Sequence, residues 1–429
     1  MILRQCFVSM LFALLAVLAA SPSIQAQQVY VGAADQWGDL LAHPDQWQYV
    51  RQNADGFYVN FIEMGWVVKN QNGMNSDKLK ATATLFEHKN AYLESDMMSA
   101  SLADDQSYIT QLQAAGFTIP YTSLNYGWSA PRAANLKTYA LPTGQAPRPN
   151  LVQQGPWAIG GTILGDHGGA PPLTNADYRS WITQADGAST DGPLGFWLTD
   201  QGGMRRGSYS MVQFAHSLHK KAMVMLCPYG AGQASYNPGM FLQVAKDCVH
   251  QHEDAGALPD IWSVFEYATT IPAVPEAENG QPFNSTTGVA YWLLYHLHDP
   301  QRWARLDAVT TTSARQTGPT RTFTYRLHND SPWLDLCPLI RAKLTDPGNG
   351  WSVHCTLDGQ DVTDGIMKDG VACVGAHRLL PQKEQILQIT LTQLAHTAAT
   401  HRTASLLLEL APHPSLMGEV HQRILIPLR

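Results

Sequence analysis

Two stretches of the chain repeat one arrangement of groups that can do chemistry. Ile163-Leu164-Gly165-Asp166-His167-Gly168-Gly169 and Trp197-Leu198-Thr199-Asp200-Gln201-Gly202-Gly203 each end an apolar run on an aspartate and follow it with paired glycines. Glycines there let the backbone turn tightly and approach a ligand, although Asp and Gly are also ordinary residues of a loop start. A third acid, Glu266, closes the run Trp262-Ser263-Val264-Phe265, and a fourth, Glu94, stands in Tyr92-Leu93-Glu94-Ser95-Asp96. A carboxylate at the end of so apolar a run is partly desolvated, which raises its pKa and suits it to general acid work. Two acids facing one cleft can divide a bond cleavage, one protonating the leaving oxygen while the other attacks or activates water. Asp200 and Glu266 are the expected catalytic pair, with Asp166 and Glu94 in reserve. The structural alternatives are turn chemistry for the aspartates, an ion pair of Glu266 with Arg205 or Arg206, and a helix cap by Asp96.

Aromatic and amide groups collect near the same positions. Trp37, Trp66, Tyr126, Trp128, Tyr229 and Tyr267 fall beside expected strand ends, together with Asp35, Glu63, Asn125 and His167. Flat aromatic faces pack against the C–H faces of sugar rings while carboxylates and amides bind hydroxyls, so the mixture suits a carbohydrate groove. The alternative use of these rings is to cover core. Glu94, Asp96, Asp166, His167 and Asp200 can also be read as oxygen and nitrogen ligands for a divalent cation. Neither a His-x-His on the first strand nor a His-Glu-x-x-His supports that, so no metal ligand is assigned and no cofactor is expected. The Gly-x-Ser-x-Gly of a serine-nucleophile elbow is also absent.

These residues need elements to position them. Apolar runs at 29–34, 56–64, 89–97, 117–127, 156–166, 194–200, 222–230 and 260–268 read as strands. Helical segments stand between them at 44–53, 104–115, 209–221, 238–254 and 287–298. Most of the strand runs are apolar at nearly every position, as expected of parallel strands covered on both faces. Eight strand–helix units imply an α/β architecture closed into a (β/α)8 barrel, in which reactive groups project from the carboxyl ends of the strands. An open doubly wound sheet is the alternative, and the Gly-x-Gly-x-x-Gly that marks many such sheets does not follow the first strand.

After about residue 305 the pattern changes. Short runs at 322–328, 339–344, 352–357, 370–375, 386–392, 404–410 and 423–428 are separated by turn signals such as Asp346-Pro347-Gly348-Asn349 and Asp358-Gly359. Seven short strands in this span fit a β-sandwich. The expected organisation is a signal peptide over 1–26, a barrel over 27–304 and an all-β sandwich over 305–429.

Composition narrows the classes further. Of 429 residues, 45% are hydrophobic and 15% charged, with 12 Trp, 16 Tyr and 12 Phe, which is neither a disordered nor a fibrous composition. The formal charge of −7 includes no basic block, so no nucleic-acid partner is expected. Arg4, the apolar stretch 7–20 and Ser21-Pro22-Ser23-Ile24-Gln25-Ala26 follow the order of a secretory signal peptide, too short in its apolar part for a span. The mature chain is therefore expected in a secreted or periplasmic location, without a membrane span. Cysteines 227, 248, 337, 355 and 373 remain after cleavage, an odd number that cannot all pair within one chain.

With these features the chain resembles secreted glycoside hydrolases that combine a catalytic (β/α)8 barrel with a C-terminal β-sandwich. The resemblance spans nearly the whole mature chain and is architectural. Where one large clan of such enzymes carries Asn-Glu after strand four and Glu after strand seven, this chain has Asn125-Tyr126 and Tyr229, and the Asp-x-x-Asp-x-Asp-x-Glu of chitinase-like barrels is absent. The resemblance implies cleavage of a poly- or oligosaccharide by a carboxylate pair. A non-catalytic glycan-binding barrel and a metal-dependent barrel hydrolase are the readings from other classes.

Overall fold

The apolar runs pair as parallel strands, several of them, such as Gln28–Ala33, Gly56–Asn60 and Ile261–Glu266, carrying the β-branched and aromatic side chains that fit a pleated surface. The computed structural model describes residues 27–34, 36–96, 102–125, 187–190, 194–200, 203–228, 238–266, 271–298, 304–310, 320–336, 338–344, 351–362, 367–368, 371–374, 378–393, 404–411 and 422–428. Strands β1 (Gln28–Ala33), β2 (Gly56–Asn60), β3 (Asn90–Asp96), β4 (Thr118–Asn125), β5 (Gly187–Thr190), β6 (Lys221–Leu226) and β7 (Ile261–Glu266) make one sheet in the order β4-β3-β2-β1-β7-β6-β5. Every neighbouring pair in it is parallel. The steps from β1 to β4 and those from β5 to β7 move to the same side, and β7 is bonded to β1. A doubly wound sheet reverses direction at a switch point; the two described runs of strands share one direction. The unit is α/β and barrel-like. The described pairing stops between β4 and β5, and the expected strand 156–166 lies in the intervening sequence, outside the described residues.

Helices connect these strands. They are α1 (Trp37–Ala42), α2 (Gln48–Asn53, entered through a 3-10 turn at Pro44–Trp47), α3 (Phe61–Lys69), α4 (Ser76–Leu85), α5 (Leu102–Ala114), α6 (Leu194–Thr199) and α7 (Met204–Ser217). Then come α8 (Phe241–Asp254), the small hairpin β8 (Ala277–Glu278) and β9 (Gln281–Pro282), and α9 (Thr286–His298). Strand alternation sorts the side chains into two sets. Val29, Val31, Phe57, Val59, Leu93, Val224, Trp262 and Val264 join the helix residues Leu40, Trp47, Val50, Leu112, Val249 and Leu293 in one core. Tyr30, Tyr58, Tyr92, Tyr121, Met223, Met225, Ile261 and Phe265 form a separate cluster on the other face of the sheet.

Two expected strands are corrected. The run 56–64 is strand only to Asn60, where a reciprocal cap starts α3: Asn60 Oδ1 accepts from the amides of Ile62 (2.8 Å) and Glu63 (3.3 Å), and Glu63 Oε2 accepts from the amide of Asn60 (2.7 Å). Asn-x-x-Glu outweighs the apolar continuity of the run. The run 194–200 is the helix α6, whose first amide donates to the carbonyl of Cys227 just after β6 (2.9 Å). A run of six residues is too short for periodicity to separate strand from helix. The sheet position expected for that run belongs to β5, a four-residue strand.

The rest of the chain forms β10 (Ala304–Thr310), β11 (Thr320–Asn329), β12 (Leu339–Leu344), β13 (Trp351–Leu357), β14 (Gln360–Asp361), β15 (Met367–Lys368), β16 (Val371–Val374), β17 (Glu384–Gln393), β18 (Ala404–Ala411) and β19 (Gln422–Leu428). They pair antiparallel in two five-stranded sheets, β10-β11-β17-β13-β14 and β15-β16-β12-β18-β19. All seven expected strand runs correspond to strands here, while β10, β14 and β15 were not anticipated. Asp358 and Gly359, both at positive φ (49° and 81°), turn β13 into β14 as a tight hairpin requires. Alternate residues bury one face of each sheet, such as Leu387, Ile389 and Leu391 in β17 and Leu406, Leu408 and Leu410 in β18. Residues 1–26 lie outside the described residues, and no described helix is long and apolar enough to cross a membrane.

Asp260 ties the amino ends of three strands together. Its carboxylate accepts from the amide of Ala222 (2.8 Å), Lys221 Nζ (3.0 Å) and His216 Nε2 (3.0 Å), and its carbonyl accepts from the amide of Gln28 (2.8 Å). Burial alone would raise its pKa, but the bonds from His216 and Ala222 and the charge of Lys221 hold it below the ordinary carboxylate value. A depressed folded-state pKa contributes stability above the unfolded value of about 3.9, lost as pH falls through the folded one. Asp260→Asn is expected to lower stability by about 1–3 kcal/mol near neutral pH and to flatten the acid limb of a Tm-against-pH curve. An unchanged acid limb would show that this carboxylate is not what the sheet loses in acid.

Candidate active site

Register builds the site row by row. Tyr58 pairs with Tyr92 and Tyr92 with Tyr121, while Phe265 pairs with Gly32 on the other side. Gly32 has no side chain, so the rings of Phe265 and Tyr58 meet with centroids 4.6 Å apart. A Cβ at Gly32 would lie 2.1 Å from the carbonyl oxygen of Tyr58 and 3.0 Å from the Phe265 ring. The row continues through the stacked Tyr58–Tyr92 pair (5.4 Å, 14°) to Tyr121 (6.4 Å). It is a continuous aromatic floor across four strands.

One row nearer the carboxyl ends, Asn60 pairs with Glu94 and Glu94 with Ser123. Glu94 stands two residues from Tyr92 on the same strand, hence on the same face. Its side chain is 5% exposed, and the Tyr58 hydroxyl donates to its Oε2. Burial, reinforced by Tyr121, Asp55 and Tyr92, pushes the phenol of Tyr30 far above its ordinary pKa, and burial with Asp260 and Asp55 raises that of Tyr121. These phenols are neutral at physiological pH, so the floor around Glu94 offers hydrogen bonds and ring faces rather than counter-charge.

Glu266, 0% exposed, ends β7 opposite Ala33, and its carbonyl accepts from the amide of Ala34 (3.0 Å). Alternation along β7 gives it the parity of Trp262 and Val264, the helix-covered face, whereas Glu94 has the parity of the tyrosines. Asp200 is not at a strand end. It follows α6 at φ 51°, is exposed, and accepts from the amide of Arg205 (3.0 Å) at the start of α7. Arg205 spends its guanidinium on the carbonyls of Trp197 and Leu198 (both 2.9 Å), so it caps α6 instead of answering Glu266. Of the expected catalytic residues, Glu94 alone joins the described aromatic floor.

The expected substrate-binding residues scatter. Trp37 is buried in α1 and donates to Thr82 Oγ1 (2.8 Å), a core role. Glu63 is the helix cap described above. Trp66 lines a cavity of about 240 Å³ between α3 and α5 with Phe61, Ile62, Gly65, Lys69, Gln71 and Tyr108. That cavity is in the helix layer. Asn125 ends β4 and pairs with Asp96. Asp35, Tyr126, Trp128, Asp166, His167, Tyr229 and Tyr267 lie outside the described residues.

A second polar cluster was not foreseen. His250 and Glu253 of α8 face His296 of α9, with Glu253 bridging the rings: His250 Nδ1 to Oε2 is 2.9 Å and His296 Nε2 to Oε1 is 2.6 Å. The far nitrogens both meet Asp335, between β11 and β12, through its carboxylate (3.4 Å) and its main-chain oxygen (2.9 Å). The i, i+3 spacing of His250 and Glu253 on a helix was a legible signal; the arrival of His296 and Asp335 was not.

Comparisons with known proteins add little. No family model and no curated protein matches the chain. Among solved structures, a GH5_18 protein from Bifidobacterium longum subsp. infantis aligns at 9% identity and TM-score 0.38, over 63% of this chain and 78% of that one. An FMN-binding beta-glucuronidase from Facaelibacterium prausnitzii L2-6 aligns at 10% identity and TM-score 0.35, over 94% and 56%. The bacterial hydrophobin BslA aligns at 16% identity and TM-score 0.21, over 30% and 94%. Likenesses this remote assign neither a family nor an activity.

Tyr58→Phe keeps the ring stack and removes the phenol that donates to buried Glu94. It is expected to cost about 1–3 kcal/mol, since weakening the solvation of a buried carboxylate exceeds the net worth of an ordinary hydrogen bond. A lower urea midpoint at unchanged m-value is the expected reading; an unchanged midpoint would show that Glu94 does not depend on this donor.

Proposed function

We propose that the chain is an exported glycoside hydrolase whose groove lies at the carboxyl ends of the parallel strands and whose carboxylate pair includes Glu94. The observation that carries this reading is a buried acid near the end of β3, set on an aromatic floor and bonded to one phenol. A carboxyl so placed is a candidate for the group that donates to a leaving glycosidic oxygen. Aromatic rings beside an acid are the mixture that suits a sugar, and a poly- or oligosaccharide is the proposed substrate. The common direction of the two strand runs favours closure into a (β/α)8 barrel by the expected strand at 156–166. The alternately buried faces of the antiparallel sheets favour a sandwich over 305–429. The first 26 residues favour export to a secreted or periplasmic location.

The second carboxylate is sought among Glu266, Asp166 and Asp200. Glu266 closes a strand at the same end of the sheet but with the parity of the helix-covered face, and Asp200 ranks last because it is exposed and accepts from the amide of Arg205. A separation of about 5 Å from Glu94 implies retention and about 6.5–9.5 Å inversion.

Reducing-sugar release from a polysaccharide panel tests this, with wild type, Glu94→Gln, Glu266→Gln, Asp166→Asn and Asp200→Asn matched for folding by circular dichroism. Wild-type cleavage is expected, falling roughly 10²-fold or more in Glu94→Gln and in one other variant, as loss of a general acid or base does, but not in Asp200→Asn. Cleavage that persists in folded Glu94→Gln overturns the site. Glycan binding without cleavage in the wild type replaces the enzyme with a glycan-binding barrel.

A further inference from the structure

We propose that His250, Glu253 and His296 hold a divalent cation of the zinc class where the helix layer of the parallel sheet meets the segment between β11 and β12. His250 Nδ1, His296 Nε2 and the Glu253 carboxylate converge, all ligand atoms lying within 4.8 Å of one another. The side chains are nearly closed to solvent, at 5%, 0% and 3% exposure. Two imidazoles and one carboxylate are a donor set that suits zinc and disfavours calcium or magnesium, which prefer oxygen alone.

The independent observation is the outer layer. A metal-binding histidine usually donates its other N–H to a carboxylate or a carbonyl, which fixes the tautomer. His296 does so here through Nδ1 to the Asp335 main-chain oxygen (2.9 Å), and His250 Nε2 lies near the carboxylate of the same residue (3.4 Å to Oδ2). Arg378 holds the same carboxylate from the solvent side, Nε to Oδ2 at 3.0 Å.

The tautomer of His296 fits this role. A carbonyl only accepts, so His296 carries its hydrogen on Nδ1 and turns its Nε2 towards Glu253. Trp292 packs against both imidazoles, stacked on His296 and edge-on to His250, and keeps the two rings facing the same carboxylate. The cation would staple α8 and α9 to Asp335, a structural role independent of the glycosidase reading.

Metal analysis of the untagged full chain, purified without chelator and dialysed, is the test. About one zinc per chain is expected in the wild type, falling at least fivefold in His250→Ala, Glu253→Gln and His296→Ala and unchanged in His216→Ala, whose ring serves Asp260 instead. Should the variants fail to fold, wild-type crystals measured at the zinc edge decide: an anomalous peak between the three side chains supports the site. No peak there, a peak elsewhere, or less than about a tenth of a zinc per chain with no Tm rise on zinc addition overturns it and leaves the cluster held by protons.

Discussion

Strand β1 carries the architecture because it is bonded on both sides to strands that the chain reaches at very different times. β2 follows it closely in sequence, whereas β7 pairs with it through six residue pairs, from Gln28–Ile261 to Ala33–Glu266. That second pairing closes a loop of more than 220 residues, and loop closure costs entropy that only the burial it permits can offset. The burial is dense on both faces: Val29 and Val31 meet the helices while Tyr30 meets the opposite cluster. Gly32 is where the two demands collide. A side chain there would strike the Tyr58 carbonyl, so the central strand yields one position and its neighbours' rings close over the gap.

This constraint sets what the sheet can do. The residues on the tyrosine face are phenols, thioethers and apolar groups, and burial keeps Tyr30 and Tyr121 neutral. Glu94 is a buried carboxylate set among these groups and bonded to the Tyr58 phenol. Glu266 reaches the same end of the sheet with the opposite parity, so two acids that look equivalent in sequence occupy different environments. One sees rings and a phenol; the other closes a strand against the helix layer.

How much of this was legible depended on which signal was local. The strands of the parallel sheet, apart from β5 and the expected strand at 156–166, followed from apolar runs bounded by turn residues. So did the seven expected strands after residue 305. The errors came from runs in which a local signal competed with apolar continuity. Asn60 and Glu63 form a capping box that ends β2 early, which moved Glu63 and Trp66 from a strand end into a helix. The run ending at Thr199 packs Leu194 and Trp197 as a short helix, which moved Asp200 out to solvent. Parity was beyond reach, because strands apolar on both faces carry no alternation to read. That is why Glu94 and Glu266 stood together in the sequence reading and separate in the fold.

The buried His–Glu–His cluster was hidden for a different reason. Its members sit on two helices and one connection, and only the spacing of His250 and Glu253 is local. Their convergence requires α9 to lie beside α8, with Trp292 stacked on His296, and requires the chain between β11 and β12 to return to the helix layer. Asp335 is the pivot of that return: its main chain fixes one histidine, its side chain the other, and Arg378 holds it from outside. Neutralising these charges one at a time would leave the others buried without compensation, a heavier cost than removing the cluster whole. The junction between the parallel sheet's helices and the β-rich segment is therefore held by a cooperative polar unit, where apolar contact alone would tolerate sliding.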